Sequence, residues 1–360
     1  MTIPFEALTA SPRVLIHARL RPVAGARIQP TGFPDLGAAV YTAPDGTDTL
    51  LVESAQSMAN RLEAVCWDEA AEDVVPDLAG LPYVKVSLKG LGDEAAATSS
   101  FQEFHRLNSP YIMAARTADG RPFADVLRSE LGLATVPGGK KGKKAAKDDT
   151  AGEDEKADEV AGVVNLRRLA AVVFKYDPNS LVHGIFLEKI AGRLRHPRAL
   201  SSFIEAEGVV RADSGGVKFD RVLPRPAVAG LDAKGGYGNV PFHRSEFTAK
   251  SITAYFSLDL AQIRGYGLGE DATRLLVALS LWKVRAFLDS SMRLRSACEL
   301  EIEDGDGSLA VKRPPGFDFP SAEELGSALR DLIGQCRSQF ADPSVTELTW
   351  TNPKAKGGED

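Results

Sequence analysis

Residues 271–288 carry Leu275, Leu276, Val277, Leu279, Leu281, Trp282, Val284 and Phe287, which leave almost no polar stripe for water. A helix that is apolar nearly all round is buried on every side, so the rest of the chain has to enclose it. The length permits this: 360 residues, 44% hydrophobic and 26% charged, can build a sizeable globular core. The segment feeding that helix, Ser251 to Leu258, reads as a strand, joined to it through Arg264-Gly265-Tyr266-Gly267-Leu268-Gly269.

The remaining elements follow from period and punctuation. Arg13 to Leu20 is a strand closed by Pro22, and a Gly/Pro-rich loop runs on from Gly25 to Gly37. Thr49 to Val52 leads into a helix with Ser54 as N-cap, whose Ala55, Met58, Ala59, Leu62, Val65 and Cys66 share one face and whose Ser57, Asn60 and Arg61 face outward. Tyr83 to Leu88 alternates as a half-buried strand, and Ser99 to Leu107 reads as helical. Leu169 to Phe174 reads as a buried strand stopped by Asp177-Pro178, and Ser180 to Leu194 as a helix. Glu207–Arg211 and Gly216–Val222 flank Asp213-Ser214-Gly215-Gly216 as a hairpin, and a last helix spans Ser321 to Phe340. Between Val136 and Val160 a Lys-rich run followed by Asp and Glu has no apolar period, which marks a solvated insert.

Strands and helices alternate loosely between long loops. The best fit is an α+β sandwich, one antiparallel sheet with helices on one face. A doubly wound parallel sheet competes, but needs more regular spacing.

Net charge is −6, so any anion-binding surface is a local patch on an acidic body. The densest basic stretch outside the insert is Lys189, Arg193, Arg195, His196 and Arg198, uninterrupted by an acid; it reads as a polyanion site, or as a helix end favoured by its dipole. The Gly265-x-Gly267-x-Gly269 loop after Arg264 sits where a helix N-terminus attracts phosphate, or serves as a tight turn. Gly235 to Arg244, with Tyr237 and His243, mixes glycine, a ring and an arginine in the manner of single-strand binders.

Catalysis leaves little trace. The five histidines form no H-x-x-x-H pair, and H-x-E, G-x-S-x-G and Walker A patterns are absent. The three cysteines, Cys66, Cys298 and Cys336, are far apart, which argues against a disulfide scaffold and fits a reducing cytoplasm. Cys66 reads as core, and Glu299 to Asp304 as a solvated acidic strand edge in preference to a metal site. No cofactor is expected. No signal peptide and no run of about 18 apolar residues is visible, so no membrane partner is expected either.

Residues 25–34 (GARIQPTGFP), 53–63 (ESAQSMANRLE), 196–200 (HPRAL), 242–247 (FHRSEF) and 264–269 (RGYGLG) together resemble the RAMP-type backbone subunit of CRISPR Cascade complexes, in the subtype I-G branch (formerly I-U). The likeness is spread over most of the chain. It implies a modified RNA-recognition-motif (ferredoxin-like) palm with finger and thumb insertions. Palm and fingers would begin in 1–136 and resume in 161–360, separated by the insert 137–160, with a thumb over 207–242. It further implies a non-enzymatic scaffold that polymerises along CRISPR RNA with copies of itself and other Cascade subunits, presenting the guide to target DNA in the cytoplasm. The aromatic sheet residues of the common RNA-recognition signature are not evident, so stacking on the sheet is not expected.

A guide of variable sequence is held by its backbone. The residues expected to do so are Arg27, Gln29, Ser54, Ser57, Asn60, Arg61, Arg195, His196, Arg198, Tyr237, Arg244, Arg264, Gly265 and Gly267. Two other classes stay open. Related RAMP proteins cut repeat RNA with a histidine base, for which His243 or His196 would serve, or target RNA through a loop aspartate, for which Asp35 would serve. A nucleotide-binding oxidoreductase using the Gly265 loop is more remote.

Overall fold

The computed structural model describes residues 3–33, 35–92, 96–135, 160–161, 163–191, 194–219, 221 and 239–354. Its main elements are β1 (Arg13–Pro22), β2 (Asp48–Glu53), α1 (Ala55–Ala64), α2 (Leu166–Tyr176), α3 (Pro178–His183), β3 (Leu200–Glu207), β4 (Val210–Lys218), β5 (Val240–Thr248), β6 (Ser251–Asp259), α4 (Glu270–Leu288), β7 (Cys298–Ile302), β8 (Leu309–Arg313) and α5 (Ala322–Gln335). Among the described residues, eight strands form one sheet in the order Arg293–Arg295, β7, β1, β6, β3, β2, Val40–Thr42, with β8 also paired to β1. Every pairing in it is antiparallel. The expected α+β architecture holds, and the parallel alternative does not.

Period-two patterning sets the face of each central strand. Val14, Ile16, Ala18 and Leu20 of β1 and Ile252, Ala254, Phe256 and Leu258 of β6 are buried on the face where α1 packs on β3 and α4 on β6. The Phe256 ring meets Phe287 of α4, with centroids 6.4 Å apart. α4 is buried on nearly all sides, as its composition requires, packing on β6, α1, α3 and α5. On the opposite face, His17, Tyr255 and Phe203 sit side by side on three neighbouring strands, with ring centroids 4.8 and 5.0 Å apart. This aromatic row escaped the sequence reading because its members come from β1, β6 and β3, which only the register aligns.

Four expected elements are corrected. Leu169–Phe174 belongs to helix α2: Asn165 Oδ1 accepts from the Arg167 and Arg168 amides, and the buried run is the inner face of a helix. A short continuous apolar run does not by itself distinguish buried helix from buried strand. The 180–194 helix stops at His183, because Gly184 takes φ +83° and a Cβ there would lie 3.0 Å from His196 O and Arg198 N. Beyond it, Ile185–Leu187 pairs with Leu194–His196. Asp213–Gly216 is the interior of β4 and makes no turn: Gly215 lies so close to Phe242 O of β5 that only a residue without Cβ fits. Residues 99–107 form turns that lead into a single 3-10 turn, Arg106–Asn108. The charged insert and most of the loop between β4 and β5, including Tyr237, lie outside the described residues.

The Ser54 helix forms as expected, with Ser54 Oγ accepting from the Ser57 amide at 3.3 Å. Its Leu62 is fully buried between sheet and α4. Leu62→Ala is expected to lower unfolding free energy by about 2–5 kcal/mol, measured by urea titration.

Candidate nucleic-acid interface

The expected site residues gather in three places. At the first, the basic segment 195–198 folds back on the start of α1: Arg198 Nη1 donates to Ala55 O at 3.0 Å, and Nη2 donates to Gln56 Oε1. Gln56, Phe104, Arg106, His183, Phe186, Arg195, His196 and Arg198 line a cleft of about 940 Å³. No aspartate or glutamate is among its lining residues. Arg195 is exposed, with its guanidinium 4.7 Å from the Phe186 ring centroid. His196 is buried against the Tyr266 ring, burial lowers its pKa, and its Nε2 has no partner among the described residues. Lys189 and Arg193, the remaining members of the basic stretch, are not described at side-chain level.

Beneath the cleft lies a buried polar chain that sequence reading missed. Arg106 donates to both oxygens of Glu63, at 2.6 and 2.7 Å, and to Gly184 O at 3.2 Å. Asn179 Nδ2 donates to Glu63 Oε1 at 2.7 Å, and its Oδ1 accepts from Lys283, which is fully buried. Lys283 Nζ also lies 3.1 Å from His183 Nε2. Nearby, burial pushes the Asp177 carboxyl up to about 7, opposed by the Ser180 hydroxyl at 2.7 Å. The signal available in sequence was a lysine in the middle of an otherwise apolar helix.

The second place is the hairpin. Arg27 reaches Ser214 and Glu246, each at 3.3 Å, and Arg244 lies 3.8 Å from Glu246 and 5.5 Å from the Phe242 ring centroid. Ile28 and Phe247 exchange backbone bonds, pinning the Arg27–Gln29 segment to β5. His243 pairs with Asp213 at 3.2 Å, and Asp35 is exposed.

The third place corrects the glycine-loop expectation. Arg264 holds the N-terminal segment, donating to Ser11 O at 2.9 Å and Leu8 O at 3.5 Å. The helix beyond Gly265 and Gly267 already carries Glu270 and Asp271 in its first turn, which answer its dipole.

Arg61 is corrected too. It faces inward: Nη2 donates to Leu294 O at 2.6 Å, and Nε lies 3.2 Å from Glu53. Glu53 is buried and also held by Arg295, which bonds Gln29 O at 3.0 Å. Asn60 Oδ1 is buried without a partner among the described residues, and Ser57 is half-buried. The Glu299–Asp304 run pairs with Arg293, Arg21 and Arg19 as an acidic strand edge. Among the described residues no group of three His, Cys, Asp or Glu is placed to hold a metal, and no helix is long and apolar enough to cross a membrane.

A family model described as CRISPR-associated protein GSU0053 matches residues 14–211, more than half of the chain. No curated protein matches. Among solved structures, the chain is similar to one titled "CRISPR RNA-guided surveillance complex, pre-nicking" (14% identity, 90% of this chain and 89% of that chain covered, TM-score 0.35). It is also similar to Thermofilum pendens Csc2 (9% identity, 94% and 81% covered, TM-score 0.29). A third, titled "CRISPR RNA-guided surveillance complex", is 12% identical over 91% of this chain and 84% of that chain, at TM-score 0.29.

Two outcomes follow from the geometry. Arg61→Ala, which strips a partner from buried Glu53, is expected to cost about 1–3 kcal/mol in denaturant melts, Arg295 holding the remainder. Asp177 keeps its proton in the folded state to about pH 7 and loses it near pH 4 when unfolded, so its contribution to stability falls as pH rises between the two. Asp177→Asn is expected to remove that fall; the test is the difference between the pH–stability profiles of variant and parent.

Proposed function

The chain belongs to the CRISPR-associated protein GSU0053 family, and from that membership we propose that it is the guide-binding backbone subunit of a Cascade-type surveillance complex. It grips CRISPR RNA by its phosphates, polymerises along it with further copies of itself and leaves the bases to pair with target DNA. The observation that carries this reading is the acid-free cleft in which Arg195, His196 and Arg198 meet the start of α1. Cations and donors without carboxylates suit phosphates of any sequence. Arg27 and Arg244, on the hairpin flank, extend the track toward a thumb carried by β4 and β5.

The topology supports the palm. With other elements inserted between them, β1, α1, β3, β6, α4 and β8 follow in chain order as βαββαβ, with β8, β1, β6 and β3 adjacent in that order, which is the ferredoxin-like arrangement. The subunit binds without cutting; Arg264 leaves the list of guide contacts because it holds the N-terminal segment, and Gly265 and Gly267 leave it because Glu270 and Asp271 already answer the helix end beyond them.

Arg195 is the clean probe, being exposed and free of any ion pair among the described residues. For a mixed-sequence oligoribonucleotide followed by fluorescence anisotropy, affinity is expected to fall steeply with salt. Arg195→Gln is expected to weaken binding and lower the slope of log K against log salt by about one. Binding that ignores salt, or an unchanged slope in the variant, contradicts the reading, as does recovery of shortened RNA.

A further inference from the structure

His183 ends α3 inside the cleft wall at 1% exposure, and the function proposed above makes no use of it. Its Nε2 lies 3.1 Å from Lys283 Nζ. An ammonium only donates, so this nitrogen accepts. Burial, with Lys283, Arg106 and Arg198 nearby, holds the ring pKa well below its ordinary value, so the ring is neutral and its one proton sits on Nδ1. Nδ1 is buried and has no partner among the described residues.

That donor cannot readily turn away. Lys283 is itself tied through Asn179 to Glu63 and Arg106. Next to His183 in the chain, Gly184 is backed against His196 O and Arg198 N. The cleft that His183 helps to line holds Arg195 and Arg198, which have no carboxylate partner among the described residues, and Arg106, which Glu63 answers. A fixed, desolvated N–H among cations calls for an anionic acceptor.

We propose that the cleft seats a phosphate group of a nucleic-acid strand, with His183 Nδ1–H donating to one of its non-bridging oxygens between Arg195 and Arg198. This rests on the cleft's taking a strand and names the neutral donor that fixes where the phosphate sits. A backbone phosphodiester and a terminal phosphate share this chemistry.

The test uses the full chain and a short mixed-sequence oligoribonucleotide with and without a terminal phosphate. In His183→Gln the amide group falls where Nε2 was, so Lys283 keeps an acceptor while the Nδ1 donor is lost. Binding is expected to weaken roughly tenfold at every salt concentration with no change in slope, because the lost group is neutral. His183→Asn returns an N–H near Nδ1 and is expected to restore affinity while lowering the melting temperature. Equal affinity with and without the terminal phosphate assigns the backbone, whereas dependence on it assigns the chain end. A folded His183→Gln that binds as tightly as the parent overturns the proposal. Should that variant not fold, 15N spectra of the parent decide: the Nδ1–H tautomer whose signals move on adding inorganic phosphate upholds it, and signals that stay still overturn it. A parent that binds no oligoribonucleotide sinks the guide-binding reading, and the same phosphate titration then decides on His183 alone.

Discussion

The Lys283 ammonium, fully buried inside the most apolar helix of the chain, is the interaction on which the cleft stands. Desolvating a charge costs several kcal/mol unless partners replace the water. Here the partners come from three other parts of the chain: Asn179 and His183 of α3 directly, and Glu63 of α1 and Arg106 through them. None of these groups has a low-energy position without the others. The chain of bonds therefore fixes α1, α3 and α4 relative to one another at the point where the 195–198 segment docks. Asp177, protonated more readily than an ordinary carboxylate, leaves the cluster short of negative charge near neutral pH.

Charge on this protein is segregated. A net −6 overall coexists with a cleft on which Arg195 and Arg198 have no acidic partner among the described residues, while Arg106 beneath them is answered by Glu63. Elsewhere the arginines are largely answered: Arg21 by Glu301 and Asp304, Arg19 by Glu303, Arg27 by Glu246. Among the described residues an acidic body repels a polyanion least where arginines lack acidic partners, so under the function proposed above a strand would approach the face of Arg195 and Arg198.

What the sequence made legible were elements whose signal is local. β1, β6, α1 and α4 were readable because alternation or all-round apolarity was unbroken, and Ser54 announced its own helix. The failures each depended on something distant. Leu169–Phe174 needed the Asn165 cap and its neighbours to choose helix over strand, and Gly184 ended a helix because the chain at 196–198 packs behind it. Gly215 looked like a turn until β5 was laid against it. Arg61 was assigned to solvent because a helix face shows its period and not its partners: Glu53 and Leu294 take it inward. Arg195 and Arg198 stand out in the sequence as part of a dense basic stretch, while His183 does not, its surroundings being set by a lysine one hundred residues later.

The strand order has a consequence for how the chain reaches this state. β1 is made early, yet both of its neighbours are late: Arg13 pairs with Asp259, and Ala18 with Leu309. Likewise Tyr83–Lys89 finds its parallel partner only in Val345–Thr351. Pairings this far apart close large loops before any contact rewards them, which makes folding slow. On the ribosome β1 must wait with both edges bare until β6 and β8 have been made, open to pairing with a neighbouring nascent chain. The arginines along β1, exposed at Arg13, Arg19 and Arg21, supply like charge on such an edge and discourage that encounter.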